Sequence, residues 1–262
     1  MIIDSHIHLN APDYQENLEE LLAEAQEQSV EKFICVGAGY GSESASQAVE
    51  LADKYDCIYA SIGIHPLDAH NPYDQDVIQD LAKHPKVVAI GETGFDYYHR
   101  DDCKEQQRVA FTWQIELAKE SNKPLIVHAR SKTSEAAADC LALLTEMAAQ
   151  EVGGVFHCYG ENAEFAKQLA EINFMVSFPG IITFKNAESV QQAAKEIPIE
   201  QIMIETDGPY LAPTPYRGKL CRPAYIVETA KTLAEVRGLS TPECNKQIYD
   251  NTVKFYNLPN NN

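Results

Sequence analysis

The stretch I-I-D-S-H-I-H, Ile2–His8, sets the reading of the whole chain. Two β-branched apolar residues lead into Asp4, His6 and His8, spaced two apart, so an extended backbone turns all three side chains to one face. The same device, a short apolar run closed by a chemistry-bearing residue, recurs downstream. V-V-A-I-G-E-T-G (Val87–Gly94) carries Glu92, L-I-V-H-A-R (Leu125–Arg130) carries His128, V-F-H-C-Y (Val155–Tyr159) carries His157, and I-M-I-E-T-D-G-P (Ile202–Pro209) carries Asp207.

Counting every such run gives eight predicted strands: Ile2–Ser5, Lys32–Val36, Ile58–Ile62, Val87–Ile90, Leu125–Val127, Val155–Phe156, Phe174–Ser177 and Ile202–Ile204. Between them, Gln15–Ser29, Ser42–Tyr55, Cys103–Ser121, Ser134–Gln150, Ala163–Glu171 and Ser189–Lys195 place apolar residues three and four apart against charged faces, the signature of amphipathic helices. Arg222–Arg237 and Thr241–Tyr256 add two more helices, the second opened by Thr241, Pro242 and Glu243 as N-cap and first-turn signals, before a polar N-L-P-N-N-N tail. This alternation predicts an α/β fold, a single (β/α)8 TIM barrel of the metal-dependent hydrolase type spanning residues 1–262 as one domain. An open doubly wound sheet is the competing architecture. Polar residues emerging from nearly every strand favour closure.

Composition sets bounds. The 262 residues match the usual size of one such barrel, and 45% hydrophobic with 23% charged residues is ordinary for a globular enzyme. No apolar run is long enough to span a bilayer, and M-I-I-D-S-H lacks the features of a signal peptide, so a cytoplasmic protein without a membrane partner is expected. The 7 cysteines form no C-x-x-C pair, which predicts reduced thiols. A formal net charge of -18 repels polyanions at long range, which argues against a non-specific nucleic-acid coat protein. A nuclease pocket remains compatible, since bound cations screen a phosphate locally.

In a parallel barrel the strand C-termini converge on one mouth, so His6, His8, Glu92, His128, His157 and Asp207 form one candidate metal-binding set. Imidazole and carboxylate donors suit zinc, manganese, nickel or iron, with magnesium at the more oxygen-rich position. His65 in G-I-H-P belongs to the same strand ends and is read as a substrate contact or a cap of the turn before Pro66; Glu205 is read as a supporting residue or a direct ligand, outside the metal set, and His99 is left unassigned. His70 and His84 are read as solvent-facing, and Cys158 and Cys221 as structural thiols. Arg100, Arg130, Lys132, Lys185, Arg217, Lys219 and Arg222 fall in or just after predicted βα loops, where they would suit a phosphate-bearing substrate. Arg130, two residues beyond His128, is the leading phosphate contact. There is no phosphate-binding loop, nucleophile elbow or dinucleotide fingerprint; G-A-G-Y-G-S at Gly37–Ser42 reads as a tight loop at the rim.

H-x-H, G-I-H-P, G-E-T-G-F-D-Y-Y, V-H-A-R, H-C-Y and E-T-D-G-P-Y-L occur here in the order and spacing that resembles the TatD family of metal-dependent hydrolases, described as deoxyribonucleases. The resemblance covers nearly the whole chain. It implies two divalent ions (magnesium, manganese or zinc), one held by His6, His8 and Asp207, the other by His128 and His157, with Glu92 bridging and Glu92 and Asp207 catalytic. It further implies hydrolysis of DNA phosphodiester bonds, often from the 3′ end; Asp207 is the candidate general base for such a reaction. His65, Arg130, Lys185, Arg217 and Lys219 are the expected contacts to DNA or another phosphate-containing substrate.

Two departures stand out. R-G-K-L-C-R-P at Arg217–Pro223 carries Cys221 and Arg222 where members commonly have Asn and Glu or Gln, and H-C-Y-G-E at His157–Glu161 differs from the frequent H-C-F-S-G. The first either adds positive charge at the rim or rearranges surface contacts. Other readings of the same ligands are a metal-dependent amidase, lactonase or esterase, an aminoacyl-tRNA deacylase, and a metal-binding protein without catalysis.

Overall fold

A computed structural model describes residues 1–71 and 73–259. Its elements run β1 (Ile2–Ile7), α1 (Leu18–Glu27), β2 (Val30–Gly37), α2 (Ser44–Lys54), β3 (Ile58–Ile62), α3 (Gln75–Leu81), β4 (Val87–Asp96), α4 (Lys104–Ser121) and β5 (Leu125–Arg130). They continue as α5 (Glu135–Glu146), β6 (Gly154–Phe156), α6 (Ala163–Glu171), β7 (Phe174–Phe178), α7 (Glu188–Glu196), β8 (Ile202–Ile204), α8 (Ile226–Arg237) and α9 (Thr241–Tyr256). The eight strands follow sheet order β1 to β8, and the fold is the (β/α)8 barrel that the alternation predicts. The chain falls into two compact units, one of residues 1–35, 158–170 and 175–262, the other of residues 36–157 and 171–174.

In the first unit β1 runs parallel to β2, pairing Ile2 with Val30, Asp4 with Phe33 and Ile7 with Cys35. From Asp4 to Ile7 is three residues, against two from Phe33 to Cys35, so β1 carries one extra residue around Ser5 and His6. A bulge of this kind re-aims the side chains on it. Ser5, buried, bonds the Ile204 carbonyl at 2.9 Å and lies 3.0 Å from the Ser177 hydroxyl. α9 is capped one residue earlier than its sequence suggests. Ser240, not Thr241, is the N-cap, with a capping box to Glu243 and Pro242 in the first turn, where its missing N–H costs nothing. The last three residues of the polar tail, 260–262, lie outside the described residues.

In the second unit β3 pairs with β4 (Ser61 with Ala89, Ile62 with Ile90), and β4 pairs with β5 (Ile90 with Leu125, Thr93 with Val127, Asp96 with Arg130). Leu125, Ile126 and Val127 are consecutive and all buried, as a parallel strand covered on both faces requires. β4 extends to Asp96, well past its apolar run, because it again holds an extra residue: three steps from Ile90 to Thr93 against two from Leu125 to Val127. That bulge falls on Glu92. The two strands close tightly beyond it, since a Cβ on Gly94, whose φ is +134°, would stand 2.1 Å from the His128 carbonyl oxygen. Helix α3 was not legible in the apolar pattern, because it buries only Ile78. Its signal was Asp74, whose carboxylate accepts the N–H groups of Asp76 and Val77.

Candidate functional site

Within the first unit, three of the predicted ligands converge. Nε2 of His6 and Nε2 of His8 each lie 3.7 Å from Oδ1 of Asp207. Ligands of one tetrahedral ion at bond lengths near 2.1 Å stand about 3.4 Å apart, so each histidine nitrogen stands at close to ligand spacing from the Asp207 oxygen. Backbone bonds lock it: Asp207 N–H donates to the His6 carbonyl at 3.0 Å, and His8 N–H to the Gly208 carbonyl at 2.8 Å. Asp207 adopts φ +54°, a left-handed conformation that Asp tolerates better than most residues and that often marks functional positions.

Asp4 does not share this trio, although strict alternation placed it on the same face. Its carboxylate accepts the Thr206 N–H (3.0 Å), the Thr206 hydroxyl (2.6 Å) and the His6 N–H (3.3 Å), so it fixes the backbone behind the ligands rather than a histidine ring. Burial pushes its pKa up to about 7, the Thr206 and His6 bonds opposing and the Glu205 charge adding to the rise. Glu205, also buried, accepts the Cys158 N–H at 2.7 Å and so holds the loop that follows His157, in keeping with a supporting role.

In the second unit Glu92 is the focus. Its Oε1 lies 2.7 Å from Nδ1 of His128, 2.7 Å from Nε2 of His157 and 3.4 Å from Nε2 of His65. Burial opposes ionisation of Glu92, but the His157 and His65 charges and the bonds from His128 and His157 outweigh it, holding the carboxyl well below the usual range. His65, expected as a substrate contact, thus stands in a group with Glu92 and His128 whose donor atoms lie within 4.8 Å of one another, close enough to hold an ion. Its Nδ1 accepts the Leu67 N–H at 3.1 Å, which leaves Nε2 as the atom directed at Glu92.

Sequence reasoning missed Asp96. Four residues after Glu92 on β4 and completely buried, it sets its Oδ2 3.1 Å from His128 Nε2 and 2.9 Å from His99 Nδ1. A carboxylate behind an imidazole fixes which nitrogen faces the ion and raises the ring's basicity. The charges agree. Burial disfavours the His128 cation, but Asp96 and Glu92 raise its pKa overall, and despite burial of its own the Asp96 carboxyl is held far down by His128 and His99. The unassigned His99 therefore belongs to this network. The signal was present in G-E-T-G-F-D, where both acids sit in one strand.

The basic residues separate by their partners. Arg130, Lys185, Arg217 and Lys219 are exposed; Arg130 lies over the Tyr98 ring at 5.0 Å and Arg217 over Phe184 at 4.3 Å. Arg100 is held by Asp102 at 2.7 Å. Arg222, the departure from the family pattern, pairs with Glu24 at 2.8 Å and Glu20 at 3.3 Å on α1, so its charge is matched there. Cys221 beside it is buried, and its carbonyl accepts the Tyr14 hydroxyl. Tyr159 likewise presents no aromatic surface, being buried against Phe178 with its hydroxyl on the Asn162 carbonyl at 2.6 Å. His84 is half-buried beside Asp53 at 3.2 Å, and only His70 of the two solvent-assigned rings is exposed. All seven cysteines are free thiols. No helix among the described residues is long and apolar enough to cross a membrane.

Comparison with known proteins gives the chain's family and fold. The chain is 39% identical to the uncharacterized metal-dependent hydrolase YabD of Bacillus subtilis, over 98% of this chain and 100% of that protein. It is 37% identical to the uncharacterized metal-dependent hydrolase YcfH of Escherichia coli K12, over 98% and 96%. Among solved structures, YJJV, a TatD homologue from Escherichia coli K12, superposes with a TM-score of 0.88 at 25% identity, covering 98% of each chain. The family described as TatD related DNase matches residues 3–257, and the chain belongs to this TatD family of metal-dependent hydrolases.

Proposed function

We propose that this hydrolase cleaves phosphodiester bonds of DNA, working from the 3′ end with two divalent ions. His6, His8 and Asp207 would hold one ion and His128 and His157 the other, with Glu92 a further carboxylate ligand. The observation that carries the reading is the convergence of imidazole and carboxylate donors twice over: His6 and His8 on one Asp207 oxygen at 3.7 Å, and His128 and His157 on one Glu92 oxygen at 2.7 Å. Family membership supports the phosphate-containing substrate.

Ions bound here would supply Lewis-acid polarisation of the phosphoryl group and a lowered pKa for water. The protein's own groups do the rest. Asp207, 13% open at its side chain, takes the proton of the attacking water. Asp96 holds the His128 ring through Nε2, and Asp4 holds the backbone of His6 and Thr206, so the donors need not reorganise. Arg130, Lys185, Arg217 and Lys219 bind substrate phosphates, and His65 contributes where Glu92 and the substrate meet. Arg130 and Arg217, each above an aromatic ring, offer a flat cationic face to a phosphate or a base.

The test is hydrolysis of end-labelled single-stranded DNA by metal-stripped protein, with magnesium, manganese or zinc restored separately and Glu92→Ala as control. Metal-dependent shortening from the 3′ end that vanishes in Glu92→Ala is expected. No cleavage by metal-loaded protein, with turnover of a carboxyl ester, an amide or an aminoacyl-tRNA instead, would replace this reading.

A further inference from the structure

We propose that two buried glutamines of α4, Gln107 and Gln114, are positioning residues for the Glu92, His65 and His128 group; the inference rests on the metal-dependent reading above. Their amides bond to backbone groups beside those residues. They act through the backbone that carries them.

The reason lies in the lengths of the strands. β4 has 10 residues, but its register with β3 ends at the pair Ile62 and Ile90. Beyond that pair β4 retains β5 on one side, and the backbone groups pointing the other way need partners, because an unpaired buried amide is costly. Gln107 meets Asp96 as a neighbouring strand would: its Oε1 accepts the Asp96 N–H at 2.9 Å, and its Nε2 donates to the Asp96 carbonyl at 3.1 Å. Gln114 does the same for Ile64, the residue before His65, accepting its N–H at 2.8 Å and donating to its carbonyl at 3.1 Å.

The Gln114 Nε2 also reaches the hydroxyl of Thr93, the residue after Glu92, at 2.6 Å. One amide therefore ties the chain bearing His65 to the chain bearing Glu92. The Gln107 Nε2 donates in addition to the Arg100 carbonyl at 2.9 Å, closing the loop that carries His99. The two residues lie two helical turns apart on one face of α4, with exposures of 1% and 0%. Gly63 leaves the room required, since a Cβ there would stand 2.7 Å from the Gln114 Oε1. Solvation does not account for fully buried amides, and apolar side chains would pack α4 equally well; what the amides add is fixed positions for Ile64, Thr93 and Asp96.

The experiment measures withdrawal of Mn2+ from the metal-loaded full-length protein by a chelator, with kcat, KM and Tm beside it, for Gln107→Met, Gln114→Met and Ile115→Val. Ile115 is buried on the same helix and its apolar side chain makes no hydrogen bond, so its variant controls for loss of packing. Each glutamine variant is expected to loosen Mn2+ by about tenfold and to lower kcat with KM held within about twofold. Ile115→Val should lower Tm and leave Mn2+ retention unchanged. Thr93→Val removes only the hydroxyl that Gln114 reaches, and should give a smaller loss in the same direction even if a glutamine variant fails to fold. Glutamine and Thr93 variants that retain Mn2+ and kcat as the Ile115 variant does would overturn the proposal. Mn2+ retention is read without substrate, so failure of the nuclease reading leaves this comparison intact.

Discussion

Nε2 of His128 lies 3.1 Å from Oδ2 of Asp96, which turns Nδ1 of the same ring toward Glu92 at 2.7 Å. The ring is held from behind by a carboxylate and offers its other nitrogen forward. Removing Asp96 as Asp96→Ala should therefore weaken metal binding by about 10- to 100-fold without dismantling the fold. Chelator competition with Mn2+ measures this, and unchanged affinity would mean the ring is oriented by packing alone.

Asp207 is the carboxylate on which His6 and His8 converge, and it is the proposed general base. Asp207→Asn keeps the shape and an oxygen but loses the basicity. Turnover is expected to fall by at least about 100-fold, the usual scale for a lost general base, while the thermal transition stays in place. Near-normal turnover in metal-replete Asp207→Asn would remove Asp207 from that role.

Arg222 replaces a residue that the family pattern makes acidic or amide, yet it is matched by Glu20 and Glu24 on α1. Partly exposed pairs of this kind contribute little. Arg222→Ala should cost less than about 1 kcal/mol in urea unfolding. DNA turnover should stay within about twofold of wild type, whereas a salt-sensitive rise in KM would make Arg222 a phosphate contact after all.

Tyr256 is buried, and its hydroxyl lies 3.1 Å from the Ser5 carbonyl. Burial, with the Glu205 and Asp4 charges adding to it, raises its pKa well above the ordinary 10.0. A folded pKa above the unfolded one means the stabilisation is complete below about pH 10 and is lost as pH rises beyond it toward the folded value. Urea unfolding at increasing alkaline pH should show stability falling above that point, with a shallower fall in Tyr256→Phe.

Burial pushes the Cys35 thiol up to about 12 and those of Cys140 and Cys221 further, so none is nucleophilic near neutral pH. Cys57 and Cys158 are the half-buried ones. A thiol reagent on native protein should modify these two first and reach the remaining five only on unfolding, with peptide mapping as the readout.

Ser240 closes the capping box of α9, accepting the Glu243 N–H while Glu243 accepts the Ser240 N–H at 3.2 Å. Ser240→Ala should destabilise the protein by about 1 kcal/mol. Equal stability would show that the first turn of α9 is held by its packing.

The sequence by itself determined the alternation of strands and helices, and with it the barrel, because period-two and period-3.6 apolar patterns are local properties. It also showed which strand ends carry donors: His6, His8, Glu92, His128, His157 and Asp207 each lie within three residues of the end of an apolar run. Only the tertiary structure decided what those side chains meet. Strict alternation aligned Asp4 with His6 and His8, but one extra residue in β1 detached Asp4 from them and sent it to Thr206, more than 200 residues away. Alternation also stopped β4 at Ile90, whereas pairing with β5 carries it to Asp96, the carboxylate behind His128. The same holds for Arg222, whose charge reads as a rim feature until α1 supplies its two acids. In each case the deciding partner is distant in sequence, and a bulge, a strand length or an ion pair depends on where that partner lies in space, which no local pattern encodes.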